Sequence, residues 1–151
     1  MKFVLQRVLE AQVKVDGEIV GKIGKGYLLL VGVTAEDTVD IADKMIEKVS
    51  RLRIFKDENG KTNLSIDQVG GEILVISQFT LCADCRKGNR PSFVNAGNPE
   101  MAENLYEHIL TRCRELFSNT QKGIFGAEMK VSLVNDGPFT LVLDSNEILT
   151  K

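Results

Sequence analysis

"VKVDGEIVGKIGKGYLLLVGV", residues 13–33, decides the fold class. Asp16-Gly17 stands between Val13/Val15 and Ile19, and an Asp-Gly pair flanked by alternating apolar residues is a strong hairpin signal. The next run, Gly26–Val33, is apolar without alternation, so it reads as a buried central strand. Upstream, residues 2–15 show apolar and β-branched residues in broken alternation, a strand of the same sheet. Downstream, Thr34-Ala-Glu-Asp37 resembles a capping box, and Val39, Ala42, Met45, Ile46, Val49 and Leu52 follow at helical spacing. That spacing predicts a helix over 36–51 with one face on the sheet.

The remaining chain continues in the same style. "DENGKTN" (57–63) is a turn between Ile54-Phe55 and Leu64, and "GEILVISQFTL" (71–81) is a second buried strand. Residues 82–97 read as a long polar loop. Asn98-Pro99-Glu100 starts a second helix, with proline at its first position. Ala102, Leu105, Tyr106, Ile109, Leu110, Cys113 and Leu116 carry it to about residue 117. After a turn at Gly123–Gly126, "EMKVSLV" (128–134) and "TLVLD" (140–144) are two closing strands. The expected architecture is α+β: a mostly antiparallel, barrel-like sheet with two packed helices, in one domain over residues 1–151.

The chain has 151 residues, 43% of them hydrophobic, which suits one domain or the subunit of a compact oligomer. Its longest apolar run, Tyr27–Val33, is far short of the roughly 20 residues that span a bilayer. The N-terminus has no long apolar segment of the signal-peptide kind. A cytoplasmic protein without membrane partners is expected. The net charge of −2 argues against a general nucleic-acid coat, although it leaves room for a local basic patch.

The usual catalytic constellations are missing: no GxGxxG, P-loop or HExxH is present. The one histidine, His108, lies one position off the apolar stripe of the second helix and reads as a boundary residue. Cys82-Ala-Asp-Cys85 has CxxC spacing. However, only Cys113 and His108 remain as further zinc ligands, and Arg-Lys-Gly-Asn-Arg-Pro after it does not open a helix. No metal or redox role is expected for these thiols. Two stretches are harder to assign. In "SQFTLCADCRKGNRPSF" (77–93), Ser77, Gln78 and Thr80 put hydrogen-bonding groups at a strand end, leading into Arg86, Lys87 and Arg90. This could receive an anionic substrate or be a solvated strand end with a basic loop. In "VNDGPFTLVLD" (134–144), turn formers separate two apolar runs, yet Pro138 removes a backbone donor where the second strand should pair.

Together, "SQFTLCAD", "KGNRPSF", "GIFGAEM" and "LVNDGPFT" resemble the signature segments of the D-aminoacyl-tRNA deacylase family, and "QRV…VDG…LVGV" is similar to its opening. The resemblance runs from Met1 to about Ser145, and four motifs in the right order and spacing are highly specific. Cys82 stands where the family often has tyrosine, and Phe139 where it often has valine; both keep an apolar side chain.

The resemblance implies an enzyme that hydrolyses the ester between a D-amino acid and the terminal ribose of tRNA and rejects the L isomer. It implies a homodimer, the tRNA 3′ end as partner, no cofactor, no metal and no DNA. A pocket fitted to side chains cannot reject L isomers of every amino acid, whereas a rigid backbone probe near the Cα can do so by collision. The family gives that task to a cis Gly-Pro pair, here Gly137-Pro138, reaching into the partner subunit's site. Glycine would escape such a filter, so glycyl-tRNA is an expected substrate. By the same resemblance, Ser77, Gln78, Phe79 and Thr80 line the catalytic pocket, where backbone N–H groups would stabilise an oxyanion. Phe125 and Met129 would shape the adenosine site, and Arg7 would brace the Gly-Pro loop. Arg86, Lys87 and Arg90 are candidates for phosphate contacts. Thr80 has no base beside it, so attack by water assisted by the ribose hydroxyl is expected over attack by Thr80. The competing reading is a non-catalytic dimeric tRNA-end or nucleotide-binding module. A relative specialised for L-alanine would be expected to lack the Gly-Pro pair.

Overall fold

The computed structural model describes residues 1–149. It opens with a long strand β1 (Lys2–Val15), followed by β2 (Glu18–Ile23) and β3 (Gly26–Gly32). Next come helix α1 (Val39–Arg51), a small hairpin of β4 (Arg53–Lys56) and β5 (Thr62–Ser65), and β6 (Glu72–Ser77). Helix α2 (Pro99–Leu116), β7 (Thr120–Lys122), β8 (Lys130–Asp144) and a single turn α3 (Ser145–Ile148) complete the chain. The hairpin expected at Asp16-Gly17 forms: both residues take positive φ, 50° and 78°, as a two-residue turn of matching twist requires.

One edge of β1 carries β8 over nearly its whole length, while its other edge carries β3 at Lys2–Val8 and β2 at Ala11–Val15. The sheet continues as β3–β6–β7. A Cβ placed on Gly21 of β2 would come within 2.5 Å of the Lys122 carbonyl oxygen of β7, so the sheet curls until its ends meet in a barrel-like form. Val8, Ala11, Val13, Ile23, Leu28, Leu74 and Ile76 fill the inside of the curl. The opposite face packs against the helices through Ala42, Met45, Ile46 and Val49 of α1 and Leu105, Tyr106, Ile109 and Cys113 of α2. These helical positions are the ones their spacing predicts, except Val39, which is half exposed.

Three expectations change, while the mostly antiparallel sheet holds: β1 pairs antiparallel with β2, β3 and β8, and β3–β6 and β6–β7 are parallel. Parallel neighbours need a crossover, and α1 and α2 supply one each. Helix α1 starts at residue 39, not 36. Thr38 caps it by accepting from Ile41 N–H, while Asp37 accepts from Thr34 N–H and from the Met1 amine. The second buried strand ends at Ser77, and Phe79–Cys82 form a 3₁₀ turn. Finally, residues 130–144 are one strand rather than two joined by a turn.

Candidate active site

Strand β6 delivers the first part of the site. Ile73–Ile76 are buried, and the chain leaves the sheet at Ser77, where Gln78 N–H still donates to Val31 carbonyl at 2.7 Å. The 3₁₀ turn over Phe79–Cys82 follows, anchored by the buried Cys82, whose thiol donates to Val33 carbonyl at 3.4 Å. The leading N–H groups of such a turn have no partner within it, and the Gln78 side chain does not cap them. Gln78 Nε2 donates to Thr80 Oγ1 instead.

Beside this turn lies an open cavity of about 470 Å³. Ser77, Gln78 and Phe79 form one wall, and Phe125 and Met129 form another. These five residues, from two separate stretches of sequence, meet around one space. Ala96, Gly97 and the first turn of α2 at Pro99 and Ala102 close it. Sequence reading missed this third wall; its signal was the run of small residues just before the helix start at Asn98. Gly97 is small for a reason: a Cβ there would stand 3.1 Å from Met101 Sδ and 3.3 Å from Thr34 carbonyl. Phe125 is held by packing near Tyr106, with ring centroids 5.9 Å apart, and Tyr106 donates its hydroxyl to Val75 carbonyl at 2.8 Å. Burial pushes that hydroxyl's pKa well above its ordinary value, so it stays protonated and apolar in effect. Thr80 is exposed and does not line the cavity.

The second part of the site is on β8. Gln6 pairs with Thr140 and Val8 with Asn135, so residues 136–139 stand opposite Arg7 alone. This is a wide bulge, not a hairpin, which explains how proline is tolerated: it sits where the ladder is already open. The Gly137–Pro138 peptide bond is cis. Arg7 is buried, 4% exposed. Its Nε donates to Asp136 carbonyl at 2.9 Å and lies 3.3 Å from Asp136 Oδ2; its NH1 donates to Ile54 carbonyl at 2.5 Å; and its guanidinium sits 4.5 Å above the Phe139 ring. Gly137 and Pro138 are exposed. Neither they nor Arg7 line the cavity.

The candidate cationic residues behave unequally. Arg86 is tied to Asp84 by two charge-assisted hydrogen bonds, at 2.9 and 2.7 Å, and Asp84 also accepts from Arg86 N–H. These contacts hold the Asp84 carboxyl down to about 2. Arg86 is thus largely neutralised locally, while Lys87 and Arg90 are exposed on the same loop. The three cysteines are free thiols; burial raises the pKa of Cys82 and pushes that of Cys113 up to about 12. His108 joins the helices, its Nε2 lying 2.7 Å from Asp43 Oδ1, away from the cavity. Among the described residues no cluster of His, Cys, Asp or Glu is placed to hold a metal ion, and no helix is long and apolar enough to cross a membrane.

Residues 4–144 match the family described as D-Tyr-tRNA(Tyr) deacylase. Curated proteins named D-aminoacyl-tRNA deacylase are similar over nearly their full length. The one from Desulfatibacillum aliphaticivorans is 56% identical over 96% of this chain and 99% of its own. That from Bacillus cytotoxicus is also 56% identical, with the same coverage. Among solved structures, one titled c-Myc DNA Unwinding Element Binding Protein superposes with a TM-score of 0.91 at 41% identity, covering 95% of this chain and 98% of that one. A probable eukaryotic D-amino acid tRNA deacylase gives 0.83 at 15% identity, covering 94% and 97%, a likeness of fold alone.

Proposed function

The chain belongs to the D-aminoacyl-tRNA deacylase family, and on that premise we propose how this hydrolase of the aminoacyl-tRNA ester tells D from L. The substrate's terminal adenosine enters the cavity against Phe125 and Met129, and the ester carbonyl rests at the Phe79–Cys82 turn. Backbone N–H groups at the start of that turn receive the oxyanion of the tetrahedral intermediate. Water attacks, helped by the neighbouring ribose hydroxyl, because the ester is already activated and needs mainly positioning. Thr80 takes no covalent part; its hydroxyl is engaged by Gln78 Nε2 and it lies off the cavity.

The single observation that carries the chiral filter is the bulge. Asp136, through its carbonyl and carboxylate, and Phe139, through its ring, are tied to Arg7, so Gly137 and Pro138 are the most exposed part of the bulge, presented as backbone without a functional side chain. Within one chain the bulge does not border the cavity. A second copy supplies it, and the working unit is a homodimer in which each bulge enters the other's site. A backbone wall beside the substrate Cα excludes a side chain on the L side and admits hydrogen. Glycyl-tRNA, with hydrogen at both positions, is therefore cleaved as well. Lys87 and Arg90 contact acceptor-end phosphates.

Incubation with D-tyrosyl-, L-tyrosyl- and glycyl-tRNA tests the proposal. Release of D-tyrosine and glycine with L-tyrosyl-tRNA left intact is expected; equal loss of the two tyrosyl esters overturns the filter. A binding module without chemistry would leave all three intact.

A further inference from the structure

The bulge is held not only by Arg7 beneath it but also by a side chain of its own. Asn135, the last residue paired before the bulge, turns its carboxamide into the loop. Its Nδ2 donates to Arg7 carbonyl at 3.0 Å and to Phe139 carbonyl at 2.9 Å, while its Oδ1 accepts from Phe139 N–H at 3.3 Å. One amide thus ties the entry of the bulge to its exit and to the facing strand. The orientation is determined by chemistry, since the reverse amide would set an oxygen against two carbonyls. The carboxamide also occupies the space over Gly137. A Cβ on Gly137 would fall inside contact distance of both Asn135 Oδ1 and Phe139 N. Glycine is needed there to make room for the Asn135 amide, in addition to any approach by substrate.

We propose that Asn135 is a specificity-positioning residue: its carboxamide sets the height and direction of the Gly137-Pro138 backbone and so determines how completely L-aminoacyl esters are rejected. This rests on the filter reading of the bulge. Asn135 does not line the cavity, so it acts through the loop and not on the substrate. The strand itself does not depend on it, because β8 stays paired with β1 on both sides, at Lys2–Gln6 and Glu10–Lys14.

Asn135→Asp keeps the size and the acceptor for Phe139 N–H but removes both donors and faces two carbonyls with a charge. Asn135→Ala removes the amide altogether. The test measures kcat/KM on D-tyrosyl- and L-tyrosyl-tRNA for both variants and for Pro138→Ala, with melting temperatures alongside. Both Asn135 variants should raise L cleavage relative to D by about tenfold, the scale of two lost net hydrogen bonds. The D rate should change little, and the melting temperature should fall by no more than the few degrees those bonds are worth. If the Asn135 variants keep the wild-type ratio while Pro138→Ala relaxes it, the filter stands and the role of Asn135 is overturned. If Pro138→Ala also keeps the ratio, the filter reading fails and this proposal with it. Equal loss on both substrates with a lowered melting temperature marks a merely structural residue and likewise overturns it.

Discussion

The turn at Phe79–Cys82 follows the end of β6, whereas the bulge at Asp136–Phe139 interrupts the pairing of β8, and the two present different parts of the chain. Around the turn, Ser77, Gln78 and Phe79 line a cavity that Phe125 and Met129 help to enclose. In the bulge, Asp136 and Phe139 are tied to the buried Arg7, and the backbone at Gly137-Pro138 is the part most exposed. The first arrangement suits recognition of a constant group, such as a terminal nucleoside, by shape and contact. The second suits a site that must treat many different side chains alike, since a backbone wall is indifferent to side-chain chemistry. The account therefore expects substitutions in the two regions to have different signatures: lost turnover at the turn, lost discrimination at the bulge.

The largest effect should come from Gly137→Ala. The added methyl meets the Phe139 backbone nitrogen, which no rotamer change can relieve, so the bulge must move. A displacement of that order changes positioning by about 10²-fold, read here as the ratio of D- to L-tyrosyl-tRNA cleavage. An unchanged ratio would remove the contrast between the two regions. Arg7→Lys comes next. Lysine keeps the charge but lacks the fork that reaches Ile54 and Asp136 carbonyls together. A loss of about 1–2 kcal/mol in urea unfolding, with weakened discrimination, is expected; full stability with full discrimination would mean the brace is dispensable. Thr80→Ala should lower kcat by no more than about tenfold, the cost of one hydrogen bond. A fall of about 10⁴ or more, as when a nucleophile is removed, would return the chemistry to a side chain.

Salt should produce the smallest change. Two phosphates met by Lys87 and Arg90 predict a slope of about −1.4 in log(kcat/KM) against log salt, at about 0.7 per contact. Arg86→Ala should leave that slope alone, because Asp84 already occupies the guanidinium. The Asp84 carboxyl is held down to about 2, below its ordinary value, so its pairing is complete above the ordinary carboxylate range and is lost only as pH falls through about 2. The slope should accordingly be constant between about pH 5 and 8, far above that transition. A steep slope, or one that Arg86→Ala reduces, would show a broader grip on tRNA.

Local signals predicted local structure well. Asp16-Gly17 announced its hairpin, and Asn98-Pro99 the start of α2, whose Asn98 side chain accepts from Met101 N–H. Strand direction was not legible, since an apolar run such as Leu28–Val31 says that it is buried but not which way its neighbours run. The two parallel pairings follow from helical crossovers that only the assembled chain displays. At Asn135–Pro138 the turn formers were read by their own propensities; the strand on the other side, with Arg7 opposite the bulge, decided otherwise. In the site, Ser77–Phe79, Phe125 and Met129 were legible through the family's motifs, whereas Ala96 and Gly97 carry no functional group to betray them. The pairing that removes Arg86 from the free cations lies two residues away in sequence, yet depends on the bridge between Asp84 and Ser92 that shapes the loop.

The central claim, that a backbone filter guards a hydrolytic cavity, is tested most directly by initial rates of ester cleavage on D- and L-tyrosyl-tRNA under identical conditions. The account predicts rapid release from the D ester and none above the spontaneous rate from the L ester. Comparable rates on the two esters would contradict it.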